Sequence, residues 1–429
     1  MIPAPAPAAP PLVTPTRARG ELLLCYGFFA TLALVPASGL MPLKVVLLVG
    51  FGCGAALALR RRPRFRLSEV VLGLALPAFL LASFLLGLLR GSIELDLGAR
   101  ALTNYTGVFV IVFVTYLLSR RGLVTLQSFF LALLVGNSCY LAVKAALLAL
   151  MVLGVLPPET VVRYATAIAP GAAVQELGGV TLLARIAVVN DILTPFVFAL
   201  VLIAPQLRMQ LNRVVRVAYG SIAVAMMTLS LTRYVWLTVI VAVAAYHGLW
   251  PRYLARGVTL AGAVACLWFV MASGFTEPST LLRAMIGARL GDVESISVKR
   301  EQTAAIMGEV SQHPILGNGI GAYVGDYVRD ERLQFQYEVQ WAGLLMQLGI
   351  VGIGIVAAYL LSVVRWFRAG RVGMYLLLLY ALWLGSGFFN PYLTALSSSA
   401  VYALFVVAGI HLSTQATGRA QALAASRSP

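Results

Sequence analysis

Charged side chains are scarce in this sequence. Only 11% of its 429 residues are Asp, Glu, Lys or Arg, whereas 60% are hydrophobic. A soluble protein of this length carries roughly a quarter charged residues, so the soluble globular class is excluded. Apolar runs of about 20 residues recur along the chain, which predicts an all-α, polytopic helical membrane protein. The runs are continuous rather than alternating in polarity, which disfavours a transmembrane barrel.

Cysteine and histidine are also rare. The four cysteines all lie in apolar runs, and the three histidines are scattered along the chain. Neither set has the spacing of a metal site or of a disulfide framework. The sequence therefore predicts no metal and no cofactor for any activity of this chain.

Acidic residues are outnumbered two to one, with 16 Asp and Glu against 32 Lys and Arg. A net charge of +16 would suggest a nucleic-acid partner in a soluble protein. Here many arginines gather in short loops between apolar runs, as they do on the cytoplasmic side of membrane proteins. The clearest loop is 60–66, with five arginines in seven residues. We therefore expect the lipid bilayer, and no nucleic acid, as the partner of this basic chain.

The arginine-rich loops also set the expected topology, because successive helices alternate in direction. We predict twelve transmembrane helices with both termini in the cytoplasm, over about 21–39, 43–59, 67–89, 102–119, 123–155, 190–205, 219–232, 235–249, 257–274, 339–364, 373–388 and 395–412. The domain organisation is a cytoplasmic tail over 1–20, helices over 21–274, a large periplasmic loop over 275–337, helices over 338–412 and a cytoplasmic tail over 413–429. Residues 90–101 are expected to form an outside loop and 206–217 an inside loop.

Arg233 stands in a tight turn between two apolar runs, in the sequence Thr232-Arg233-Tyr234. The predicted topology puts this turn outside, against the tendency of arginines to lie in the cytoplasm. One interpretation is a snorkelling arginine that pairs with a loop carboxylate. The other is an anion ligand, because a guanidinium binds phosphate oxygens through two parallel hydrogen bonds.

The long polar stretch over 275–337 carries further cations and a glycine-rich segment. Its cations include Arg283, Arg289, Lys299 and Arg300. Residues 299–311 have helical spacing, and Pro314 stops that helix after His313. Gly317 and Gly319 then belong to a turn that brings the backbone close to a partner. The turn lacks the Lys-Ser/Thr pair of a P-loop, so by itself it indicates structure more than phosphate binding.

Glu338 lies where this loop joins the next apolar run, within the segment 337–352. The helix dipole favours an ionised carboxylate at that position. Glu338 is either a solvated residue at a helix start or a group that accepts a hydrogen bond or a proton from a substrate hydroxyl. A dipole-stabilised carboxylate is a weak base, so orienting the hydroxyl without deprotonating it stays an alternative. Tyr337 and Gln340 flank Glu338 and are candidate substrate contacts.

Arg185 lies in the apolar stretch 182–186, where an arginine is either partnered or functional. Asp191 is the candidate partner, and binding of an anionic substrate is the alternative.

The order of these features resembles the O-antigen ligase and polymerase family of bacterial cell-envelope enzymes. The Thr232-Arg233 turn resembles the Ser/Thr-Arg element of that family. Arg300 and the segment 314–321, Pro-Ile-Leu-Gly-Asn-Gly-Ile-Gly, resemble the arginine and the Pro-Leu-x-Gly-x-Gly segment of its large periplasmic loop. Residues 337–352 resemble the membrane helix that follows. Together the motifs cover about 230–352.

The resemblance implies a glycosyltransferase of the bacterial inner membrane whose active site faces the periplasm. Its substrate would be a glycan linked to undecaprenyl pyrophosphate, which serves as carrier and leaving group. Arg233, Arg289 and Arg300 would stabilise the pyrophosphate charge, and Glu338 would orient or deprotonate the acceptor hydroxyl, without a metal. His313 is a second candidate base. The further substrate-binding candidates are Arg185, Tyr234, Tyr337, Gln340, Gly317 and Gly319.

One departure from the family pattern favours one of its branches. Ligases of the family typically carry a histidine where this chain has Glu338, which favours a polymerase of lipid-linked oligosaccharide repeat units. The alternatives are a ligase that transfers the glycan to lipid A-core and a transporter of an anionic lipid-linked substrate. A transporter would place its charges near mid-bilayer, whereas these lie at one surface. The resemblance also implies chain-length regulator or flippase proteins as partners.

Overall fold

The computed structural model describes residues 18–34, 41–60, 66–157, 159–161, 163, 173–177, 180–187, 189–230, 232–249, 294–327, 334–367, 370–388, 390 and 392–425. In these ranges the chain is predominantly helical. Seven helical stretches are long and apolar enough to cross a membrane: Leu43–Arg60, Leu67–Arg90, Leu95–Arg120, Leu126–Met151, Gln340–Phe367, Gly370–Phe388 and Ser398–Thr417. Shorter apolar helices cover Leu22–Leu34, Thr194–Ile203 and Arg233–Leu249. This is the pattern of a multi-pass helical membrane protein.

The α-helices are, in chain order, α1 (Ala18–Leu34), α2 (Met41–Arg60), α3 (Leu67–Arg90), α4 (Leu95–Arg120), α5 (Leu126–Val152), α6 (Thr194–Ile203), α7 (Arg213–Leu229), α8 (Arg233–Leu249), α9 (Glu294–Gln312), α10 (Gln340–Ser362), α11 (Gly370–Gly385) and α12 (Ser398–Ala425). Two strands, β1 (Ala173–Leu177) and β2 (Val180–Ala187), lie between α5 and α6. The predicted helix over 257–274 lies outside the described residues.

The ends of α3 show how the sequence sets the bounds of a membrane helix. The helix begins after the arginine-rich loop, where the Glu69 carboxylate accepts a hydrogen bond from the Arg66 N–H at 3.2 Å. Gly91 ends it with a φ of 67°, a left-handed conformation that glycine adopts readily. The predicted bounds, 67–89, are confirmed to within one residue.

The start of α4 differs from the prediction. The helix begins at Leu95, so most of the loop expected over 90–101 is helical. Asp96 and Arg100 form an exposed ion pair one turn apart, with 2.6 Å between their carboxylate and guanidinium atoms. Polar residues that pair in this way extend a helix beyond its apolar run. A prediction from hydropathy finds only the apolar run, so it misses these polar first turns.

The start of α7 is also earlier than predicted. Arg213 and Arg216 lie in its first turns rather than in the loop expected over 206–217. The Asn212 side chain caps this helix by accepting a hydrogen bond from the Val214 N–H at 2.9 Å.

β1 and β2 pair as an antiparallel hairpin, in which Gln175 faces Arg185 and Leu177 faces Val180. The expectation of an all-α chain is therefore wrong in this segment. In the sequence, residues 178 and 179 are both glycine, and a Gly-Gly pair between two short runs of strand-forming residues predicts a hairpin.

α5 is one continuous helix, as predicted over 123–155, and its residues Leu126–Met151 form one of the seven candidate spans. α6 is much shorter. Its ten residues rise about 15 Å, which is half the thickness of a bilayer's hydrocarbon core. Every residue of α6 is buried, so protein rather than lipid surrounds this helix.

A buried polar cluster fastens α5 to the turn before α6. Lys144 Nζ lies 2.7 Å from Asp191 Oδ1, and both side chains are less than a tenth exposed. The Tyr140 hydroxyl donates to the same carboxylate oxygen at 2.7 Å. One turn earlier, Asn137 donates to the Thr194 hydroxyl at 3.1 Å. Groups buried in this way are costly unless they are bonded to each other, so the cluster fixes the register of the two helices.

The helices pack around two apolar cores. The larger core contains residues of α1, α2, α5, α6 and α12 among others. The smaller core joins α3, α4, α9 and α10 with the loop before α10, through Leu76, Leu80, Phe84, Ile93, Ala101, Tyr105, Ile306, Val310, Ile320, Ala322, Phe335, Tyr337, Leu344, Met346 and Leu348. This smaller core holds the long loop against the membrane helices.

Candidate active site at the start of α10

Glu338 immediately precedes α10 and forms an ion pair with α9. Lys299 Nζ lies 3.2 Å from Glu338 Oε2, and the two side chains are 29% and 32% exposed. The Gln302 side-chain oxygen accepts a hydrogen bond from the Glu338 N–H at 3.2 Å. Lys299 and Gln302 are three residues apart and share one face of α9. The carboxylate is therefore oriented by α9 while a third of it stays open to solvent.

Lys299 of α9 forms an ion pair with Glu338. Arg300 is predicted to stabilise the pyrophosphate of a substrate, and that role stays a prediction. Arg300 is exposed on α9 next to Lys299. Successive residues of a helix point about 100° apart, so one of these two cations pairs with the carboxylate and the other faces solvent.

Tyr337 is buried and holds the loop in place. Its hydroxyl accepts a hydrogen bond from the Val324 N–H at 2.5 Å, and its side chain is 1% exposed. Burial raises the pKa of Tyr337 to about 12, so the phenol stays protonated near neutral pH. Tyr337 is therefore anchored in the protein and positions the adjacent Glu338. Its contact with a substrate stays a prediction.

Gln340 and Trp341 connect the first turn of α10 to the segment 382–394, which contains the end of α11 and the turn after it. Gln340 Oε1 accepts from the Leu393 N–H at 2.7 Å, and its amide donates to the Thr394 hydroxyl. The Trp341 indole donates to the Leu384 carbonyl at 2.9 Å. Three hydrogen bonds thus join the start of α10 to segment 382–394.

The Arg233 motif reaches the same segment from the other side. Tyr234 is buried, and its hydroxyl donates to the Leu382 carbonyl at 2.6 Å. Arg233 begins α8 and is exposed next to it. The Thr-Arg-Tyr turn and the Glu338 junction are 104 residues apart in sequence, from 234 to 338, and both adjoin segment 382–394.

The glycine-rich turn docks into an interruption of α10. Gly349, inside that helix, has a φ of 65° and a non-helical ψ of −177°. The freed Met346 and Gln347 carbonyls accept from the Asn318 and Gly319 N–H groups at 2.8 and 3.0 Å. The Gly317 N–H is bonded to the His313 carbonyl at 2.9 Å. These N–H groups satisfy main-chain carbonyls, so the observed role of the turn is to attach the loop to α10.

Close approach explains why glycines stand in this turn. A Cβ on Gly317 would lie 2.4 Å from the Gln347 carbonyl oxygen, and one on Gly319 would lie 2.5 Å from Gly87 Cα. Gln347 is fully buried and accepts from the Tyr105 hydroxyl at 2.9 Å. These packing contacts are enough to explain the two glycines. The binding of substrate by Gly317 and Gly319 stays a prediction.

An apolar groove begins beside this site and follows α10 through the membrane region. It encloses a cavity of about 170 Å³ between α3, α4, α10 and α12. Trp341, Leu393 and Thr394 line one end, here called the Trp341 end, and Tyr116, Arg365 and Trp366 line the other, here called the Arg365 end. The residues between are almost all apolar, including Leu72, Leu76, Leu80, Val108, Phe109, Val112, Phe113, Leu344, Leu348, Val356, Leu360 and Val406.

Three predicted site residues lie apart from this junction or outside the described region. Arg185 is in β2, and its side chain and all of Arg289 lie outside the described residues. Asp191, the candidate partner of Arg185, bonds to Lys144 and Tyr140. His313 follows α9 and is partly exposed.

Two residues of the site, Gln302 and Thr394, are not among the predicted ones. Gln302 shares a helical face with Lys299, and that spacing was visible in the sequence. Thr394 accepts from Gln340 and, through its carbonyl, from Asn104 at 2.8 Å. No local pattern joins residues separated by 54 or 290 positions, so this part of the site required the fold.

No family model matches this sequence, and no curated protein and no solved structure matches it significantly. The resemblance to the O-antigen ligase and polymerase family therefore depends on the residues quoted for it, and the activity that it implies is a proposal.

Proposed function

We propose that this chain is a membrane glycosyltransferase that polymerises undecaprenyl-pyrophosphate-linked oligosaccharide repeat units on the periplasmic face of the bacterial inner membrane. The observation that carries the proposal is the position of Glu338. The Glu338 carboxylate pairs with Lys299, and its main-chain N–H is bonded to Gln302. The carboxylate is open to solvent two residues before Gln340, whose side chain bonds to the lining of an apolar groove. A polar reactive group beside a hydrocarbon-lined groove suits a substrate that joins a sugar to a lipid.

The parts of such a substrate match the parts of the site. The isoprenoid units nearest the pyrophosphate would enter the Trp341 end of the groove, where transfer from water is favourable for apolar surface. The pyrophosphate would remain at the surface, where Arg233 and Arg300 are exposed cations. Guanidinium groups bind phosphate oxygens in a bidentate way and stabilise the charge that develops on the leaving group. The proposed topology of twelve helices puts both arginines outside.

The proposed reaction is a direct displacement. The Glu338 carboxylate accepts the proton of the acceptor hydroxyl while that oxygen bonds to the anomeric carbon of the donor. The bond between the anomeric carbon and the pyrophosphate oxygen breaks, and the pyrophosphate leaves with the electron pair. Attack from the face opposite the leaving group inverts the anomeric configuration. Arg233 and Arg300 neutralise the departing charge, and Lys299 keeps the carboxylate oriented.

The test is product analysis with purified protein in liposomes and lipid-linked single repeat units from the native host. A polymerase converts them to a ladder of lipid-linked oligomers on a gel. Transfer that requires added lipid A-core indicates the ligase alternative. Unchanged substrate that crosses the liposome membrane indicates the transporter alternative. Either of the last two results would refute polymerisation.

Glu338→Gln is expected to lower the rate of ladder formation by about a hundredfold or more, because it removes the proton acceptor and keeps the shape. Glu301→Gln is the matched control, since Glu301 is exposed on α9 in the same turn as Lys299. A Glu338→Gln protein that extends chains at the rate of this control would remove Glu338 from the mechanism.

A further inference from the structure

The Arg365 end of the groove carries a cluster of two arginines and two aromatic rings. The Tyr116 and Trp366 rings stack with centroids 5.8 Å apart at 20°. The Arg120 guanidinium lies 5.9 Å from the Tyr116 ring, and the Arg365 guanidinium lies 5.0 Å from the Trp366 ring. Cation–π contacts hold both guanidiniums beside one aromatic pair without neutralising either charge.

The local charge balance leaves this cluster positive. Arg120 and Arg365 are both exposed, and no carboxylate among the described residues lies within ion-pair distance of them. The nearby Glu69 carboxylate is occupied, because Arg121 Nη2 lies 3.1 Å from it and both side chains are only a tenth exposed. An anion that approaches the cluster therefore meets two available guanidiniums.

The cluster lies at the expected boundary between hydrocarbon and headgroups. Two candidate spans end at this level, Leu95–Arg120 and Gln340–Phe367. Tyrosine, tryptophan and arginine are enriched where membrane helices leave the hydrocarbon core. From here the groove leads back into the membrane region between Val356, Leu360 and Phe113.

We propose that the Arg365 end of the groove binds a phospholipid with an anionic headgroup from the adjacent leaflet. One acyl chain occupies the apolar lining, and the phosphate is held by Arg120 and Arg365 beside the Tyr116–Trp366 pair. An apolar slot whose lining includes Arg365, with the exposed Arg120 guanidinium beside its Tyr116, complements an amphiphile with one negative head and hydrocarbon tails. This site is separate from Glu338, which adjoins the opposite end of the groove, and the inference does not depend on the proposed reaction.

The test measures lipid selectivity of the full chain in vesicles of phosphatidylcholine and phosphatidylglycerol. Spin-labelled analogues of each lipid report the fraction that is immobilised on the protein. The wild type is expected to prefer phosphatidylglycerol. In the double variant Arg120→Ala, Arg365→Ala, the loss of each arginine is expected to lower that preference by about fivefold. The preference cannot fall below a ratio of one, at which both lipids are immobilised equally. Arg213→Ala is the matched control, because Arg213 is an exposed arginine at a helix end that does not line the groove.

A second variant separates the groove from surface charge. Val356→Trp fills the apolar lining and keeps both arginines, so it is also expected to reduce the immobilised phosphatidylglycerol. Equal selectivity in the wild type and the double variant would overturn the proposal. A second result would also overturn the proposal. In it, the wild type binds phosphatidylglycerol and phosphatidylcholine alike but prefers spin-labelled polyprenyl phosphate, and the double variant loses that preference. Such a result would assign the cluster to the carrier lipid.

Discussion

Lys299 gives Glu338 a defined orientation at the mouth of α10. The pair is about a third exposed, so solvent screens it and its contribution to stability is small, about 0.2–1 kcal/mol. Its value to an enzyme is geometric, because a catalytic group loses rate steeply when it moves from its productive position. The effect of removing Lys299 should therefore be seen in activity much more than in stability.

Lys299→Met is expected to lower the rate of chain extension by about tenfold while the apparent melting temperature stays near that of the wild type. Lys299→Arg keeps a cation within reach of Glu338 and is expected to recover most of the rate. Both are measured by gel assay and by thermal unfolding in detergent. A loss of activity in Lys299→Met that follows a matching loss of melting temperature would indicate a structural role instead.

Gly349 is the residue on which the docking of the long loop depends. Its φ of 65° is unfavourable for other residues, and a Cβ there would lie 2.3 Å from the Ile315 carbonyl oxygen. Gly349→Ala is expected to destabilise the protein by about 2–3 kcal/mol, since backbone strain and a main-chain clash add. The measurement is thermal unfolding in detergent, followed by tryptophan fluorescence.

Gly354 provides the matched control within α10. It has no atoms within 4 Å of an added Cβ and lies in regular helix. Gly354→Ala is expected to leave stability unchanged or to raise it by about 0.5–1 kcal/mol, because alanine favours the helix. Equal destabilisation by both substitutions would contradict the role given to Gly349.

At the scale of elements, the join between α5 and the turn before α6 depends on a buried ion pair. Lys144→Met is expected to destabilise the protein by about 3–5 kcal/mol, because it removes a buried cation 2.7 Å from the buried Asp191 carboxylate. Adding Asp191→Leu is expected to restore much of the loss. Thermal unfolding of the single and double variants measures both effects.

An exposed pair serves as the comparison for that experiment. Arg100→Ala breaks the Asp96 ion pair, in which the side chains are 50% and 70% exposed, and is expected to cost less than about 1 kcal/mol. If Lys144→Met costs no more than Arg100→Ala, the buried cluster does not fasten these elements.

The elements that the sequence predicted well are bounded by sharp changes in polarity. The bounds of α3 follow from an arginine-rich loop before Leu67 and from Arg90 and Gly91 at its end. The start of α4 was missed because Asp96 and Arg100 are polar residues of a helix that extends past its apolar run. The interruption at Gly349 was missed because its cause, the docked turn, lies some 30 residues earlier, at 314–321.

Some parts of the candidate site could likewise be predicted from the sequence, and others could not. Glu338 and Arg233 could be predicted, because each is a charged residue beside an apolar run and the hydropathy pattern locates both. Their common neighbour could not be predicted, since segment 382–394 meets Gln340 and Tyr234 only through tertiary packing. A local pattern identifies which residues are unusual, whereas the fold determines what they face.

At the scale of the whole molecule, the proposed function requires that Glu338, Arg233 and Arg300 face the same aqueous side. The arginine-rich loops predict that this side is the periplasm, because cytoplasmic loops attract lysine and arginine. The seven candidate spans establish the class of protein and leave the direction of each helix to be measured.

Single cysteines at exposed positions measure that direction in a chain whose native cysteines are replaced. Ala304→Cys on α9 is expected to react with a membrane-impermeant maleimide in cells whose outer membrane alone is permeable. Gln210→Cys and Ser413→Cys are expected to react only after the inner membrane is also opened. All three positions are exposed in the structure, so accessibility depends on the side of the membrane rather than on burial. Labelling of positions 304 and 413 from the same side would contradict the predicted topology and, with it, the periplasmic active site.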